Sequence, residues 1–144
     1  MPQTIEQALA DAILYSDDYV YRFVKLPING ITAAAGVIAQ AGNPFSALLL
    51  DKDEITLMIE DEDFEQFKKR LFNHEASEIR YRLITFDVEL EPTLIGFMAH
   101  ISQALAEVNI SIMPFAAYSR DHLFVPASQF EQAMTVLDNL KTEF

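Results

Sequence analysis

Two tandem copies of one βαββα unit, in an α+β arrangement of antiparallel sheets packed on helices, are predicted by three observations. The chain repeats itself. Its hydrophobic spacing switches between the periods of strand and helix in the same order twice. Turn residues separate the segments at matching places in both copies.

The repeat shows first in Tyr21-Arg22-Phe23-Val24-Lys25-Leu26, which returns as Tyr81-Arg82-Leu83-Ile84-Thr85-Phe86 at an offset of 60 (81 − 21). Gly36 and Gly96 share that offset. Phe64-Glu65-Gln66 returns as Phe130-Glu131-Gln132 at an offset of 66 (130 − 64), which Leu71 and Leu137 keep. The second copy thus carries about six extra residues, most simply in a longer first helix.

In copy one, Tyr19 to Leu26 is β-rich and bounded by Asp17-Asp18 and Pro27, which predicts a strand. Thr32 is placed to N-cap a short helix over Ala33 to Gln40. Gly42-Asn43-Pro44 ends that helix. Phe45 to Leu50 is a buried strand, and Asp51-Lys52-Asp53 a turn. Ile55, Leu57 and Ile59 then alternate with Thr56 and Met58, the period of a half-buried strand. Glu60 to Asp63 opens a helix whose stripe is Phe64, Phe67 and Leu71. Lys68-Lys69-Arg70 falls in its last turn, so both ends suit the helix dipole.

Copy two repeats the plan. Ile79 to Phe86 is a strand, and Pro92 suits the first turn of a helix. Leu94, Phe97, Met98, Ile101, Leu105 and Val108 follow at helical spacing, and Asn109 closes the helix. Ile110 to Ala117 is a strand, Ser119-Arg120 a turn, and Asp121 to Val125 the return strand. Ser128-x-x-Glu131 is a capping box for a last helix with the stripe Phe130, Ala133, Met134, Leu137 and Leu140. Ile5, Leu9, Ala12 and Ile13 predict a short amphipathic helix ahead of the repeat. The expected organisation is an N-terminal arm over 1–16, a first unit over 17–76 and a second over 77–144.

Composition narrows the function. The chain of 144 residues is 51% hydrophobic, enough for a real core. Its net charge of −12 makes nucleic acid and anionic membrane poor partners. Without cysteine there is no disulfide, thiolate nucleophile or zinc–thiolate site, and the composition suits a reducing cytoplasm. Residues Leu26 to Leu50 are uncharged, but Pro27, Gly30, Gly42 and Pro44 break them into turn, helix and strand rather than a membrane span. No signal peptide is visible at the N-terminus.

Strands and helices in this order make a ferredoxin-like sandwich with strand order 4-1-3-2. Its second strand lies at an edge, where Pro114 is tolerated. Neither copy shows an obvious fourth strand. The two units either share strands, or the N-terminal arm covers an open edge.

The segment Ile79 to Leu140 resembles an ACT domain. The residues that carry the resemblance are Tyr81 to Phe86, the helix entry Leu94-Ile95-Gly96-Phe97, and Val108-Asn109-Ile110-Ser111-Ile112. Asp121-His122-Leu123-Phe124-Val125-Pro126 is similar to a strand of an uncharacterised bacterial group of tandem ACT-like proteins. The first half follows through the repeat.

The resemblance implies a non-enzymatic regulatory module, a small-molecule sensor that binds an amino acid between two domains. Backbone amides of the loop after the first strand, and the edge strand of a neighbour, would meet the ligand's charged groups. On this chain the residues are Thr93, Leu94, Ile95 and Gly96 in the loop and Ser111, Ile112 and Met113 in the edge strand, with Tyr118 and His122 nearby. Where many ACT domains carry Pro-Gly, this loop reads Leu90-Glu91-Pro92-Thr93. Glu89 and Glu91 favour a ligand with a basic side chain. In copy one the matching loop is Pro27 to Thr32. A homodimer is expected, with no cofactor and no metal. The alternative is a ligand-free oligomerisation or protein-docking module using open edge strands.

The remaining reactive-looking residues have plainer readings. Asp121 and His122 are adjacent in a strand and point to opposite faces, so they make no dyad. Glu60 to Asp63 lacks the spacing of a calcium loop. His74 and His100 have no partner at metal-ligand spacing, and His100 falls on a polar helix face. Tyr15, Tyr19, Tyr21, Tyr81 and Tyr118 read as strand and core residues. No phosphate-binding glycine loop or nucleophile elbow occurs. A cleft joining Arg22 or Arg82 to a carboxylate and His122 would favour an enzyme instead.

Overall fold

In the computed structural model, which describes residues 2–42 and 45–143, the predicted elements occur in the predicted order, with two short strands, at 13–15 and 75–76, that were not predicted. They are α1 (Ile5–Asp11), β1 (Ile13–Tyr15), β2 (Tyr21–Leu26), α2 (Ile31–Ala41), β3 (Ala47–Leu50), β4 (Ile55–Glu60), α3 (Asp61–Phe67), β5 (Glu75–Ala76), β6 (Tyr81–Asp87), α4 (Phe97–Ala106), β7 (Met113–Ala116), β8 (Asp121–Pro126) and α5 (Phe130–Lys141). The chain divides into two units. Tyr19–Tyr81 forms one; the segment through Asp18 together with Arg82 onward forms the other.

In the unit Tyr19–Tyr81 the strand order is β3-β4-β2-β5. The pairings run antiparallel, with Tyr21 opposite Glu60 and Leu26 opposite Ile55. Alternation along β2 and β4 sends Val24, Leu26, Ile55, Leu57 and Ile59 to one face. There they meet Ala34 and Val37 of α2 and Phe64, Phe67 and Leu71 of the second helical segment in one buried core. Gly42 takes a left-handed φ of 67° and stops α2, as a glycine after a helix does. Asn43 and Pro44 of the predicted stop lie outside the described residues. Thr32 is not the N-cap. A 3-10 turn over Ile28–Gly30 leads straight into α2, so Gly30 holds that position and Thr32 is already helical.

In the other unit the order is β7-β8-β6-β1. Its core joins Ile84 and Phe86 of β6, Leu123 and Val125 of β8, the stripes of α4 and α5, and Ala8, Leu9 and Ala12 from the N-terminus. The fourth strand is therefore found. The N-terminal β1 fills its place beside β6, Ile13 opposite Asp87, as β5 fills the corresponding place beside β2. Ala12 turns extended at the end of α1, so Ile13 belongs to the strand and is 67% exposed rather than helical and packed.

Three local expectations are corrected in this unit. Helix α4 starts at Phe97, not at Pro92. Leu94 donates to the Glu91 carbonyl (3.0 Å) in a turn, and Gly96 is the N-cap at φ 87°. The extra residues of the second copy therefore lie in the 88–96 loop and not in the helix. The helices begin 66 apart (97 − 31), and Gly36 and Gly96 are not equivalent. The predicted box at Ser128 is not formed, because a 3-10 turn over Ala127–Gln129 places Gln129 at the N-cap without a side-chain bond. The box occurs at Thr4-x-x-Gln7 instead, with reciprocal bonds of 3.1 Å. Finally, the strand expected over Ile110 to Ala117 shortens to Met113–Ala116, the residues that pair with β8, while Asn109 closes α4 in a left-handed turn (φ 61°). Pro114 does sit on the edge strand β7.

Candidate functional site

The 88–96 loop leaves β6 and folds back on the turn between β7 and β8. The Leu90 N–H donates to the Ser119 carbonyl (2.7 Å), and the Arg120 Nε donates to Asp87 Oδ1 (2.8 Å). The turn itself is closed by the Ala117 N–H on the Arg120 carbonyl, 3.0 Å. Between loop and turn lies a cleft of about 180 Å³ whose walls include Leu90, Glu91, Leu94, Phe97, Tyr118 and Asp121.

The loop is fastened from the N-terminus. Gln3 offers its side-chain amide as a second backbone. Its Nε2 donates to the Glu89 carbonyl (3.0 Å), and its Oε1 accepts from the Glu91 N–H (2.9 Å). The Gln3 N–H donates to Glu91 Oε2 at 3.1 Å. At the other end of the loop, a Cβ on Gly96 would stand 3.4 Å from Ile5 Cδ1, so α1 packs beside the start of α4. Gly96 is needed chiefly for its backbone, since φ 87° is a conformation L side chains rarely adopt.

Of the expected site residues, the structure brings Glu91, Leu94 and Tyr118 to the cleft. Tyr118 is a fully exposed tip residue, not a core one, and Tyr15 and Tyr19 are partly exposed, while Tyr21 is buried. Thr93 and Ile95 point to solvent, Ile95 being 86% exposed. Met113 belongs to β7, opposite Phe124. Ser111 is exposed ahead of that strand, and Ile112 packs on the core. His122 lies on β8, with Nδ1 2.8 Å from Thr85 Oγ1, on the sheet face opposite the helices.

Burial acts on the two titratable groups of β8 in opposite ways. It holds the His122 imidazole below its ordinary 6.5, against the pull of Asp121 and together with Arg120. It holds the Asp121 carboxyl above its ordinary 3.8, opposed by His122.

Sequence reading missed Gln3, and gave Asp87 only as the start of the loop and Ser119 only as part of the turn. The Thr4–Gln7 box was the available signal, since it fixes the helix start and leaves Gln3 in the extended lead-in.

The arginines named as markers of an enzyme are engaged elsewhere. Arg82 Nη2 donates to the Asp17 carbonyl (2.8 Å), and its guanidinium covers Phe130. Arg22 pairs with Asp61 (3.1 Å) and donates to the Ser77 carbonyl (2.9 Å). His100 is half-buried in a groove with Gln103, Glu107 and Leu140 rather than on an open polar face. His74 Nδ1 is 2.8 Å from the Leu71 carbonyl. Among the described residues there is no cluster of acidic and histidine side chains able to hold a metal ion, and no helix long and apolar enough to cross a membrane.

A four-stranded antiparallel sheet carrying helices on one face, formed twice from a βαββα unit, defines the ferredoxin-like class. Residues 76–139 match the family model for the ACT domain. No curated protein matches the sequence. Among solved structures, the chain is similar to a protein of unknown function from Vibrio cholerae, described as a possible transport protein. The match has 25% identity, covers 96% of this chain and 97% of that one, and has a TM-score of 0.75. It is similar to a protein from Agrobacterium tumefaciens at 18% identity, covering 89% and 87% (TM-score 0.71). It is also similar to the ligand-free regulatory subunit of aspartate kinase from Thermus thermophilus at 19% identity, covering 88% and 95% (TM-score 0.63). The fold is thus one that regulatory domains of aspartate kinase also use.

Proposed function

We propose that this protein is a non-enzymatic regulatory module of the cytoplasm that binds an amino acid with a basic side chain. The observation that carries the reading is the cleft between the 88–96 loop and the 117–120 turn. It combines an apolar wall (Leu90, Leu94, Phe97) with the carboxylates of Glu91 and Asp121 and with Arg120, whose charge is matched by Asp87. The ligand's ammonium or guanidinium group meets those carboxylates. Its α-carboxylate meets backbone N–H groups of Thr93, Ile95 and Gly96 and of the first turn of α4. Edge-strand residues Ser111 to Met113 of a second copy close the site, with Tyr118 and His122 beside it. The solved regulatory subunit of aspartate kinase with the same fold supports a regulatory role.

The test is a thermal-shift screen against the twenty amino acids, with chromatography to size the particle. Lysine or arginine at about 100 times its Kd is expected to add about 2.7 kcal/mol of stability. The absence of a shift with any amino acid sinks the reading.

A second reading, a docking or oligomerisation module without ligand, is favoured by β3. This edge strand leaves Leu49 57% and Leu50 49% exposed beside an unpaired backbone. A particle that is monomeric with and without amino acids counts against it.

A further inference from the structure

We propose that the sheet of the unit Tyr19–Tyr81 carries, on the face turned away from its helices, a binding site for a small organic ammonium ion with an aromatic body. The site is a hollow of about 350 Å³ across β4, β2 and β5, and its lining includes Phe23, Lys25, Glu54, Thr56, Glu75 and Ser77.

Strand alternation and register gather these side chains. Val24, Leu26, Ile55 and Leu57 point into the core, so Phe23, Lys25 and Thr56 point the other way. Lys25 stands directly opposite Thr56 of β4 on one side and Glu75 of β5 on the other. Phe23 lies two residues away along β2, beside Ser77. The Ser77 N–H donates to the Phe23 carbonyl (2.8 Å), and the Phe23 N–H donates to the Ser77 hydroxyl (3.2 Å). Glu54 comes one residue ahead of β4, and the hairpin turn holds its backbone. The Asp51 N–H donates to the Glu54 carbonyl (3.1 Å), and Asp51 Oδ1 accepts from the Glu54 N–H (2.9 Å).

The charges in the hollow ask for a cation. Lys25 is matched by Glu75 at 3.3 Å. Glu54 is half-buried, and among the described residues no cation pairs with it. The Thr56 hydroxyl is bonded to no described residue. A partly buried carboxylate is screened less than an exposed one, so an ammonium ion gains more from it. An anion finds little here. The one cation is already matched, and the N–H groups of Val24 and Lys25 lie within the ladders to β4 and β5. The floor suits an aromatic body. The Phe23 ring is half-buried and is fixed by a T-shaped contact with Tyr81, with centroids 6.5 Å apart at 89°. An arylalkylammonium ion that donates to Glu54 and Thr56, with its ring against Phe23, uses each of these groups.

The experiment is an amide NMR titration of the full chain with phenethylammonium chloride, with phenylpropionate, a like body under the opposite charge, as the second arm. The ammonium ion is expected to shift the amides of Lys25, Thr56 and Ser77 saturably below about 20 mM, the millimolar range of a weak but specific ligand. Glu54→Gln is expected to weaken this at least tenfold. Lys25→Gln is expected to tighten it severalfold, since it removes a like charge and releases Glu75, and a gain in affinity cannot come from a variant that fails to fold. Glu78→Gln, which removes the same charge elsewhere in the unit, is expected to leave it unchanged. No saturation, shifts confined to the 88–96 loop, phenylpropionate binding as tightly as the ammonium ion, an undiminished titration in Glu54→Gln, or no gain in Lys25→Gln would each overturn the proposal. The amino-acid reading of the other cleft is read at Leu94 and Tyr118, so either can fail alone.

Discussion

The guanidinium carbon of Arg82 lies 3.9 Å from the ring centroid of Phe130. Arg22 repeats the relationship over Phe64 at 4.8 Å. Each arginine is the second residue of its strand and each phenylalanine stands at the matching place in the second helical segment. The two anchors by which the repeat is visible in the sequence therefore touch in both units. A guanidinium over a partly desolvated ring is worth about 2 kcal/mol, and the arginine stem covers apolar surface besides. Arg82→Ala is expected to lower unfolding stability by about 2 kcal/mol in urea titration. A double-mutant cycle with Phe130→Leu should recover a coupling energy above about 0.5 kcal/mol. Additive losses would mean that the contact is incidental.

The N-terminal helix is a structural part of the unit it completes. Leu9 is 1% exposed among Ile101, Phe130 and Leu137, in the same core. Leu9→Ala is expected to cost about 2–5 kcal/mol, the range of a buried leucine truncation. Calorimetry measures it. A loss under about 1 kcal/mol would show an arm that merely rests on the surface.

Gln3 fastens the 88–96 loop through hydrogen bonds to Glu89 and Glu91. Gln3→Ala removes the side-chain pair. At about 1 kcal/mol per bond, the Glu91 amide should exchange with solvent roughly tenfold faster, while the β8 amides keep their rates. Unchanged exchange at Glu91 would mean that the loop holds itself.

His122 and Asp121 give the fold a pH signature. His122 is depressed in the folded state, so the unfolded chain takes up that proton first as pH falls. Stability is present above 6.5 and declines below it. Asp121 is raised, so the unfolded chain loses that proton first as pH rises, and its ionised form costs stability above 3.8. Urea midpoints are expected to be lower at about pH 5.5 than at about pH 7.5, and His122→Gln to narrow the gap. Asp121→Asn is expected to raise the midpoint at neutral pH. A His122→Gln profile parallel to that of the parent would exclude the imidazole as the source.

Much of this was legible in the residues. The stripe Phe64, Phe67 and Leu71 is buried, as its spacing predicts, and Leu123 and Val125 alternate inward from β8. Gly42 and Asn109 stop their helices in left-handed turns, and Pro114 stands on an edge strand. These are local outcomes. Side-chain period and backbone conformation are properties of neighbouring residues, so the sequence by itself determined the elements other than β1 and β5, their order and the ACT-type plan. What it left open depended on partners distant along the chain. That β1 would take the fourth place beside β6 rested on 13–15 meeting 85–87, a choice made by an open strand edge and by Ala8, Leu9 and Ala12 filling the core beneath it. The late start of α4 goes with Gly96 at φ 87° and with the bonds from Gln3 to Glu89 and Glu91 across more than 80 residues of chain. Hydrogen bonds and apolar contacts across such separations become favourable only once the chain has collapsed around them, which is why tertiary structure alone decided the shape of the cleft.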